Sequence, residues 1–167
     1  MYNDANQQDT TYVWWPSYLI FSLGSKVNVR IKWIEGVAFM GESETGHAVV
    51  MDGALENGGR NIGMRPMEML LIGMGGCTSF DVVTILKKSR QPVVDCVAEI
   101  SAERAEEIPK VFTKIHVHFV VTGNDLNEKQ VARAVSLSAE KYCSASIMLS
   151  KSVAITHDYE IKPLEVE

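Results

Sequence analysis

The chain has 167 residues, of which 46% are hydrophobic and 22% are charged. This composition is typical of one folded domain and excludes disordered, collagen-like and low-complexity proteins. The formal net charge of −5 repels polyanions, so we expect no nucleic-acid partner. Three cysteines are too few for a disulfide framework and the acidic start does not resemble a secretory signal, which together predict a cytoplasmic protein.

Residues 1–26 differ from the rest and are interpreted as an N-terminal extension that precedes a domain spanning residues 27–167. The extension is either an ordered arm that packs Trp14 and Trp15 on a neighbour, or a vector-derived or mis-assigned start. Its apolar stretch, Tyr12 to Leu23, is shorter than the roughly 20 residues that cross a bilayer. We therefore expect no contact with a membrane.

Three strands open the domain in chain order. Val27, Val29, Ile31 and Trp33 alternate with polar residues and predict a half-buried strand. Two further strands are predicted at residues 37–43 and 47–53, with glycines near the turns, so the three strands form a meander or hairpin. Residues 56–64 are rich in Asn and Gly and predict a loop that is mobile if nothing covers it.

A helix of about 20 residues is predicted to begin at Pro66, which suits the first helical position. Glu68 lies in the first turn, where a negative charge favours the helix dipole. The helix contains Gly73, Gly75 and Gly76, each of which costs about 1 kcal/mol relative to alanine. Either a kink or the close approach of another backbone would explain them.

Two strands, a helix and a last strand follow. Residues 93–103 and 111–123 alternate and predict a second hairpin. Residues 128–149 contain neither Gly nor Pro and predict a second long helix, capped by an asparagine before it. Residues 153–161 predict the final strand. The order of strands, helix, strands, helix and strand indicates an α+β fold.

Two cysteines share one local pattern. Cys77 and Cys143 both lie on predicted helices and are both followed by small hydroxyl residues. Either cysteine alone is ordinarily structural, as we expect for Cys96. If the helices pack together, however, the pair could come within disulfide distance and sustain a peroxide cycle of sulfenic acid and disulfide. A reactive thiolate also needs a cation, for which the candidates are Arg30, Arg60, Arg65 and Arg104.

Metal and nucleotide sites have weaker support. His116 and His118 form an H-x-H on one strand face, but no Cys or carboxylate cluster nearby completes a ligand set, so no metal site is predicted. The glycine-rich residues 56–64 lack the Lys-Ser/Thr ending of a phosphate-binding loop. We expect no bound cofactor.

Two segments resemble the OsmC/Ohr family, named for osmotically inducible protein C and organic hydroperoxide resistance. They are Pro66-Met67-Glu68-Met69-Leu70-Leu71 leading into Gly75-Gly76-Cys77, and Ala139-Glu140-Lys141-Tyr142-Cys143-Ser144. The resemblance extends from about Val27 to Pro163. It implies an OsmC-like α+β fold and an intertwined homodimer, in which sheets from both chains wrap two long central helices and the active sites lie at the interface.

The resemblance also implies a function. Family members with assigned activity are thiol peroxidases that reduce organic hydroperoxides with an external dithiol, so Cys77 matches the peroxidatic cysteine and Cys143 the resolving cysteine. The family places an Arg in an N-terminal loop and a Glu directly after the first helix's proline. Here Met67 follows that proline and residues 39–47 contain no Arg. Glu68 follows one residue later and is rotated about 100° around the helix. Glu68, Glu42 and Glu44 are the candidates to replace the family's Glu. Arg65 and Arg104 are the candidates to replace its Arg.

Three functions are therefore open. The first is a cysteine peroxidase acting on small hydrophobic hydroperoxides, with the apolar segment Met64 to Met74 lining the pocket. The second is a non-catalytic protein that binds a small apolar ligand at the dimer interface and keeps both thiols reduced. The third is an interaction module in which Trp14 and Trp15 form the contact surface.

Overall fold

The structure, a computed structural model, describes residues 26–164, so the proposed extension lies outside the described residues except for Lys26. The predicted element order and the α+β class are confirmed. The elements are β1 (Val29–Glu35), β2 (Ala38–Ser43), β3 (Ala48–Met51), α1 (Pro66–Lys88), β4 (Val93–Arg104), β5 (Phe112–Gly123), α2 (Glu128–Leu137), α3 (Ser144–Leu149) and β6 (Ala154–Lys162).

The core lies between α1 and a three-stranded sheet of order β4–β5–β6. β5 pairs antiparallel with β4, as the predicted hairpin requires, and parallel with β6. The predicted inner face of β5 is almost completely buried. Its residues are Ile115, Val117, Phe119 and Val121. Because this face alternates strictly, its four side chains reach the core together.

α1 is one continuous helix through all three glycines, so they do not break it. A Cβ atom at Gly75 would lie 2.7 Å from the Cδ1 atom of Ile100, so β4 can pack on this face only because the side chain is missing. The close neighbour is therefore a side chain and not the expected backbone. Cβ atoms at Gly73 and Gly76 would meet nothing within 4 Å in this chain.

The sequence analysis overlooked α1 when it compared apolar stretches with the thickness of a bilayer. By length and composition alone, Pro66–Lys88 would pass as a membrane span. In the fold, however, Met74, Val82 and Leu86 of α1 are fully buried in the core beside β5 and α2. This packing is that of the core helix of a globular domain, for which length and apolar composition are also expected.

A separate sheet of order β1–β2–β3 precedes α1. The apolar face of β1 is open, since Val29, Ile31 and Trp33 are 67%, 56% and 62% exposed. A single parallel bridge between Met51 and Met64 joins the end of this sheet to the start of α1. An exposed apolar face of this kind is typical of an interaction surface.

The glycine-rich loop is fastened by a buried carboxylate that the sequence analysis did not single out. Asp52, 2% exposed, accepts backbone N–H groups from Gly53 at 2.8 Å, Arg60 at 2.8 Å and Ile62 at 3.2 Å. The N–H of Arg60 is the largest cause of a lowered pKa of Asp52, against the opposing effect of burial. The predicted loop is thus anchored by Asp52 at residues 53, 60 and 62.

The prediction of a second long helix over residues 128–149 is wrong, because the helix is interrupted. α2 ends at Leu137, a π-helical turn spans Ser138–Tyr142, and Cys143 then adopts an extended conformation with φ −68° and ψ 100° before α3 begins. Single π turns inside α-helices occur frequently at functional sites.

Candidate active site

The two predicted redox cysteines meet between α1 and the interrupted helix. The Sγ atoms of Cys77 and Cys143 and a carboxylate oxygen of Asp81 all lie within 4.8 Å of one another. Cys77 is partly exposed and Cys143 is fully buried. Asp81 follows Cys77 by four residues, so both project from the same face of α1. The helical spacing could have identified Asp81 from the sequence.

The break at Cys143 turns a backbone amide toward its sulfur atom. The N–H of Cys143 donates to the carbonyl of Ser138 at 2.9 Å, and its Sγ accepts the N–H of Ser146 at 3.4 Å and the hydroxyl of Ser146 at 3.2 Å. Because a sulfur atom caps α3, the interruption needs no Gly or Pro, and the sequence therefore gave no breaking signal.

A buried hydroxyl pair fixes the π turn to α1. The hydroxyls of Ser138 and Thr78 lie 2.7 Å apart, and the Ser138 hydroxyl is also 3.1 Å from the Thr78 carbonyl and 3.5 Å from the Asp81 carboxylate. In residues 26–164, every buried side-chain nitrogen and oxygen has a hydrogen-bond partner. The site is therefore ordered by its own contacts.

The electrostatics of one protomer disfavour the Cys77 thiolate. Burial is the largest cause of a raised pKa of Cys77; the N–H of Ala145 opposes it, and both Cys143 and the negative charge of Asp81 raise the pKa further. Within the described residues, no cation is among the groups that shift this pKa. In the described part of the chain, the surroundings of Cys77 therefore favour the protonated thiol.

The arginine candidates are engaged elsewhere in the protomer. Arg30 pairs with Glu42, Arg60 pairs with Glu35, and Arg104 donates to the carbonyl of Lys110 and lies over the ring of Phe112.

Arg65 and Glu68 lie at the start of α1. The N–H of Arg65 donates to the Glu68 carboxylate at 2.8 Å, while its guanidinium donates to Gly63 and Asn61. Nine residues of helix separate Glu68 from Cys77, which is about 14 Å along the axis. The structure does not bring these two residues to Cys77 in one protomer, and their catalytic role stays a prediction.

Two open cavities lie along α1, and neither cysteine is among the residues that line them. One has a volume of about 540 Å³ and is lined by Gly76 and Ser79 of α1. Its other lining residues include apolar side chains from α1 and β4, namely Leu71, Ile72, Ala98 and Ile100. Within the predicted lining segment Met64 to Met74, the apolar side chains that line this cavity are thus Leu71 and Ile72 and not the methionines. The other cavity, of about 500 Å³, lies between α1 and α2 and is lined in part by Asp81, Arg133 and Tyr142.

Comparison with known proteins identifies the family of this chain. The family described as OsmC-like protein matches residues 58–158. The chain belongs to the OsmC-like family. It is 54% identical over 135 residues to Protein YhfA of Escherichia coli K12, a match that covers 81% of this chain and 98% of YhfA.

Solved structures share this OsmC-like fold. A hypothetical protein from Aquifex aeolicus VF5 superposes with a TM-score of 0.74 at 31% identity, covering 84% of this chain and 99% of that one. The organic hydroperoxide resistance protein OhrB of Bacillus subtilis superposes with a TM-score of 0.57 at 19% identity, covering 81% and 98% of the two chains. The second likeness is at the level of the fold. The family and fold expected from the two cysteine segments are thereby confirmed.

The remaining cysteine of the OsmC-like domain has a different environment. Cys96 is partly buried on β4, where burial and then the charge of Asp95 raise its pKa to about 11. Its thiol therefore stays protonated at neutral pH. We expect Cys96 to be unreactive, which makes it a matched control for the other two cysteines.

The H-x-H pair has carboxylate neighbours that the sequence analysis missed. Parallel pairing places Asp158 of β6 2.5 Å from Nδ1 of His118 and 3.4 Å from Nε2 of His116, and Glu160 lies 3.8 Å from Nε2 of His118. The pairing partner of β5 was not predictable from local alternation. The four side chains form an exposed polar cluster on the outer face of the sheet.

Proposed function

We propose that this protein is a cysteine-based peroxidase that reduces organic hydroperoxides as a homodimer. The observation that carries the proposal is the approach of the Cys77 and Cys143 sulfur atoms within 4.8 Å, one partly exposed and the other buried. A peroxidatic thiol must be accessible to substrate, whereas a resolving thiol needs only to reach the oxidised sulfur. Cys77 and Cys143 meet these two requirements respectively.

The cycle balances with one external dithiol. The Cys77 thiolate attacks the terminal oxygen of R–O–OH, the O–O bond breaks, and the alcohol leaves with a proton, so that Cys77 becomes a sulfenic acid. The Cys143 sulfur then attacks Cys77, an S–S bond forms, and water leaves with the Cys143 proton. A dithiol transfers two electrons and two protons to the disulfide and restores both thiols.

The cavity that Gly76 helps to line supports a hydrophobic substrate. Its volume of about 540 Å³ accommodates a small organic molecule, and Leu71, Ile72 and Ile100 supply apolar surface for the R group. Glu68 also lines this cavity. A carboxylate and apolar side chains in one cavity suit a peroxide whose hydrocarbon part is buried.

Two features support a homodimer. The apolar face of β1 and the face of α1 that carries Gly73, Gly76 and Phe80 are open in a single protomer, where Phe80 is 71% exposed. A second copy would cover this surface, and its arginines are candidates for the cation that a Cys77 thiolate needs. The predicted help of Arg65 and Glu68 to Cys77 is possible only in such an assembly.

The test is turnover of cumene hydroperoxide with dihydrolipoate. We expect Cys77→Ser to abolish turnover, Cys143→Ser to stop it after one sulfenic acid per chain, and Cys96→Ser to match wild type. Trapping of the sulfenic acid with a dimedone reagent separates the first two variants. Equal turnover in wild type and Cys77→Ser would refute the peroxidase.

A second function, binding of a small apolar ligand with both thiols kept reduced, is favoured by the raised pKa of Cys77. One equivalent of hydroperoxide distinguishes the two functions. Rapid loss of two thiols per chain supports the enzyme, whereas inert thiols support the binding protein.

A further inference from the structure

The cysteine pair has a third member that the peroxide cycle does not use. Asp81 brings a carboxylate oxygen within 4.8 Å of both sulfur atoms. A negative charge beside a peroxidatic thiol hinders formation of the thiolate. Another chemical use of the same three groups is therefore worth considering.

We propose that Cys77, Asp81 and Cys143 form a binding site for a zinc ion. Thiolate sulfur and carboxylate oxygen are both established zinc ligands, and a set with two thiolates selects soft or borderline ions over Mg²⁺ and Ca²⁺. This site does not depend on peroxidase activity. Zinc and peroxide compete for the same two sulfur atoms.

The geometry requires only small movements. With Zn–S bonds of about 2.3 Å and a Zn–O bond of about 2.1 Å, a tetrahedral site places its sulfurs about 3.8 Å apart and each sulfur about 3.6 Å from the oxygen. The three ligand atoms already lie within 4.8 Å of one another. Their closure by about 1 Å at most is within the reach of side-chain rotation. Cys77 and Asp81 project from one rigid helical turn, which limits the entropy lost on binding.

The surrounding donors fit a metal site. Ser146 donates to the Cys143 sulfur through its N–H and its hydroxyl. The Ser138 hydroxyl lies 3.5 Å from the Asp81 carboxylate. Such second-shell contacts orient metal ligands and stabilise the anionic form of the thiolates.

The site also has an entry path and an open position. Asp81 lines the cavity of about 500 Å³ between α1 and α2, so an ion can reach it from solvent. Three protein ligands leave the fourth tetrahedral position for water or another small ligand. Two thiol protons are released when the ion binds, because zinc is ligated by thiolates.

The experiment titrates zinc into the reduced, chelator-treated full-length protein in competition with a chromophoric chelator, at a pH near neutrality. We expect one zinc ion per chain and release of about two protons per ion. Cobalt in place of zinc should give a thiolate-to-metal charge-transfer band and the intense visible bands of tetrahedral coordination.

Variants locate the site. Cys77→Ser and Cys143→Ser should weaken zinc binding by more than the roughly 10- to 100-fold that loss of a second-shell partner costs. Asp81→Asn keeps the shape of the side chain and should also weaken binding, while Cys96→Ser should bind like wild type. His116→Gln combined with His118→Gln should leave the stoichiometry unchanged, because that cluster lies on the other face of the sheet.

The proposal is overturned if wild type binds no zinc, if no charge-transfer band forms with cobalt, or if the histidine variant removes the bound ion. Peroxidase turnover of the metal-free protein is measured separately. In that assay Asp81→Asn should be faster than wild type, because the variant removes a negative charge that lies within 4.8 Å of the Cys77 sulfur. Loss of zinc binding and loss of turnover are thus distinguishable.

Discussion

The two sheets of this molecule carry the same alternating pattern but have opposite environments. Val29, Ile31 and Trp33 of β1 are more than half exposed, whereas Ile115, Val117, Phe119 and Val121 of β5 are at most 3% exposed. Both sets follow period-two spacing. Alternation therefore tells which side chains share a face but not what covers it. The inner face of the β4–β5–β6 sheet is covered within its own chain, whereas the apolar face of β1 is uncovered among residues 26–164.

The largest expected effect contrasts one residue from each sheet. Phe119→Ala should destabilise the fold by about 3–5 kcal/mol, because it leaves a cavity in the core. Trp33→Ser should alter the stability of an isolated protomer little, since the ring is 62% exposed, but should weaken the dimer. Urea unfolding at several protein concentrations measures both effects. A Trp33→Ser loss that is equally large at every concentration would contradict the contrast.

Substitutions at the glycines of α1 should change the stability less, and they compare the face packed on β4 with the open face. Gly75→Val should cost about 1–3 kcal/mol, because its side chain collides with Ile100. Gly76→Ala should gain about 1 kcal/mol of helix stability in a dilute protomer, but lose dimer stability if a second copy packs closely there. Thermal unfolding at low and high protein concentration distinguishes these outcomes. Gly73→Ala lies on the same face and should behave in the same way. An identical gain in all conditions for both alanine variants would exclude close dimer packing on this face.

The smallest expected effect is electrostatic and lies on the outer face of β5 and β6. The hydrogen bond to Asp158 is the main cause that raises the pKa of His118 above 6.5, and the same bond lowers the pKa of Asp158 below 3.8. The His118 contribution to stability is complete below pH 6.5 and is lost as pH rises through the raised pKa. The Asp158 contribution is present above pH 3.8 and is lost as pH falls through the lowered pKa.

Both groups are exposed, so the net effect is small and sensitive to salt. The measurement is the urea midpoint at about pH 5 and about pH 9, the two sides of the titration range of histidine. His118→Gln should lose more stability than His47→Gln at the lower pH and a similar amount at the higher pH. Greater loss for His118→Gln at the higher pH would reverse the sign and disprove the pairing.

Much of this architecture followed from local sequence patterns. Pro66 and Glu68 predicted where α1 begins, because proline and a first-turn carboxylate favour a helix start. The alternation of β5 predicted its buried face. The break at Cys143 was not predictable, since a sulfur cap and a π turn leave no breaking residue in the sequence.

Other features depend on contacts between segments far apart in the chain. The role of Asp52 as an anchor requires the backbone of Arg60 and Ile62 to fold back on it, and the carboxylate neighbours of His118 come from parallel pairing with β6. For the candidate site, the two cysteines were predicted and their approach depends on tertiary packing. Asp81 could have been recognised from its four-residue spacing after Cys77.

Neighbouring backbone amides of the short helix α3 act on both redox cysteines. Ala145 and Ser146 are adjacent; the amide of Ser146 donates to the Cys143 sulfur, and the amide of Ala145 lowers the pKa of Cys77. Fraying of this single turn would remove both influences in the same event. The deuterium uptake of these two neighbouring amides should therefore rise and fall together. Oxidation of the cysteines or binding of a metal ion should change the exchange of both amides in the same direction.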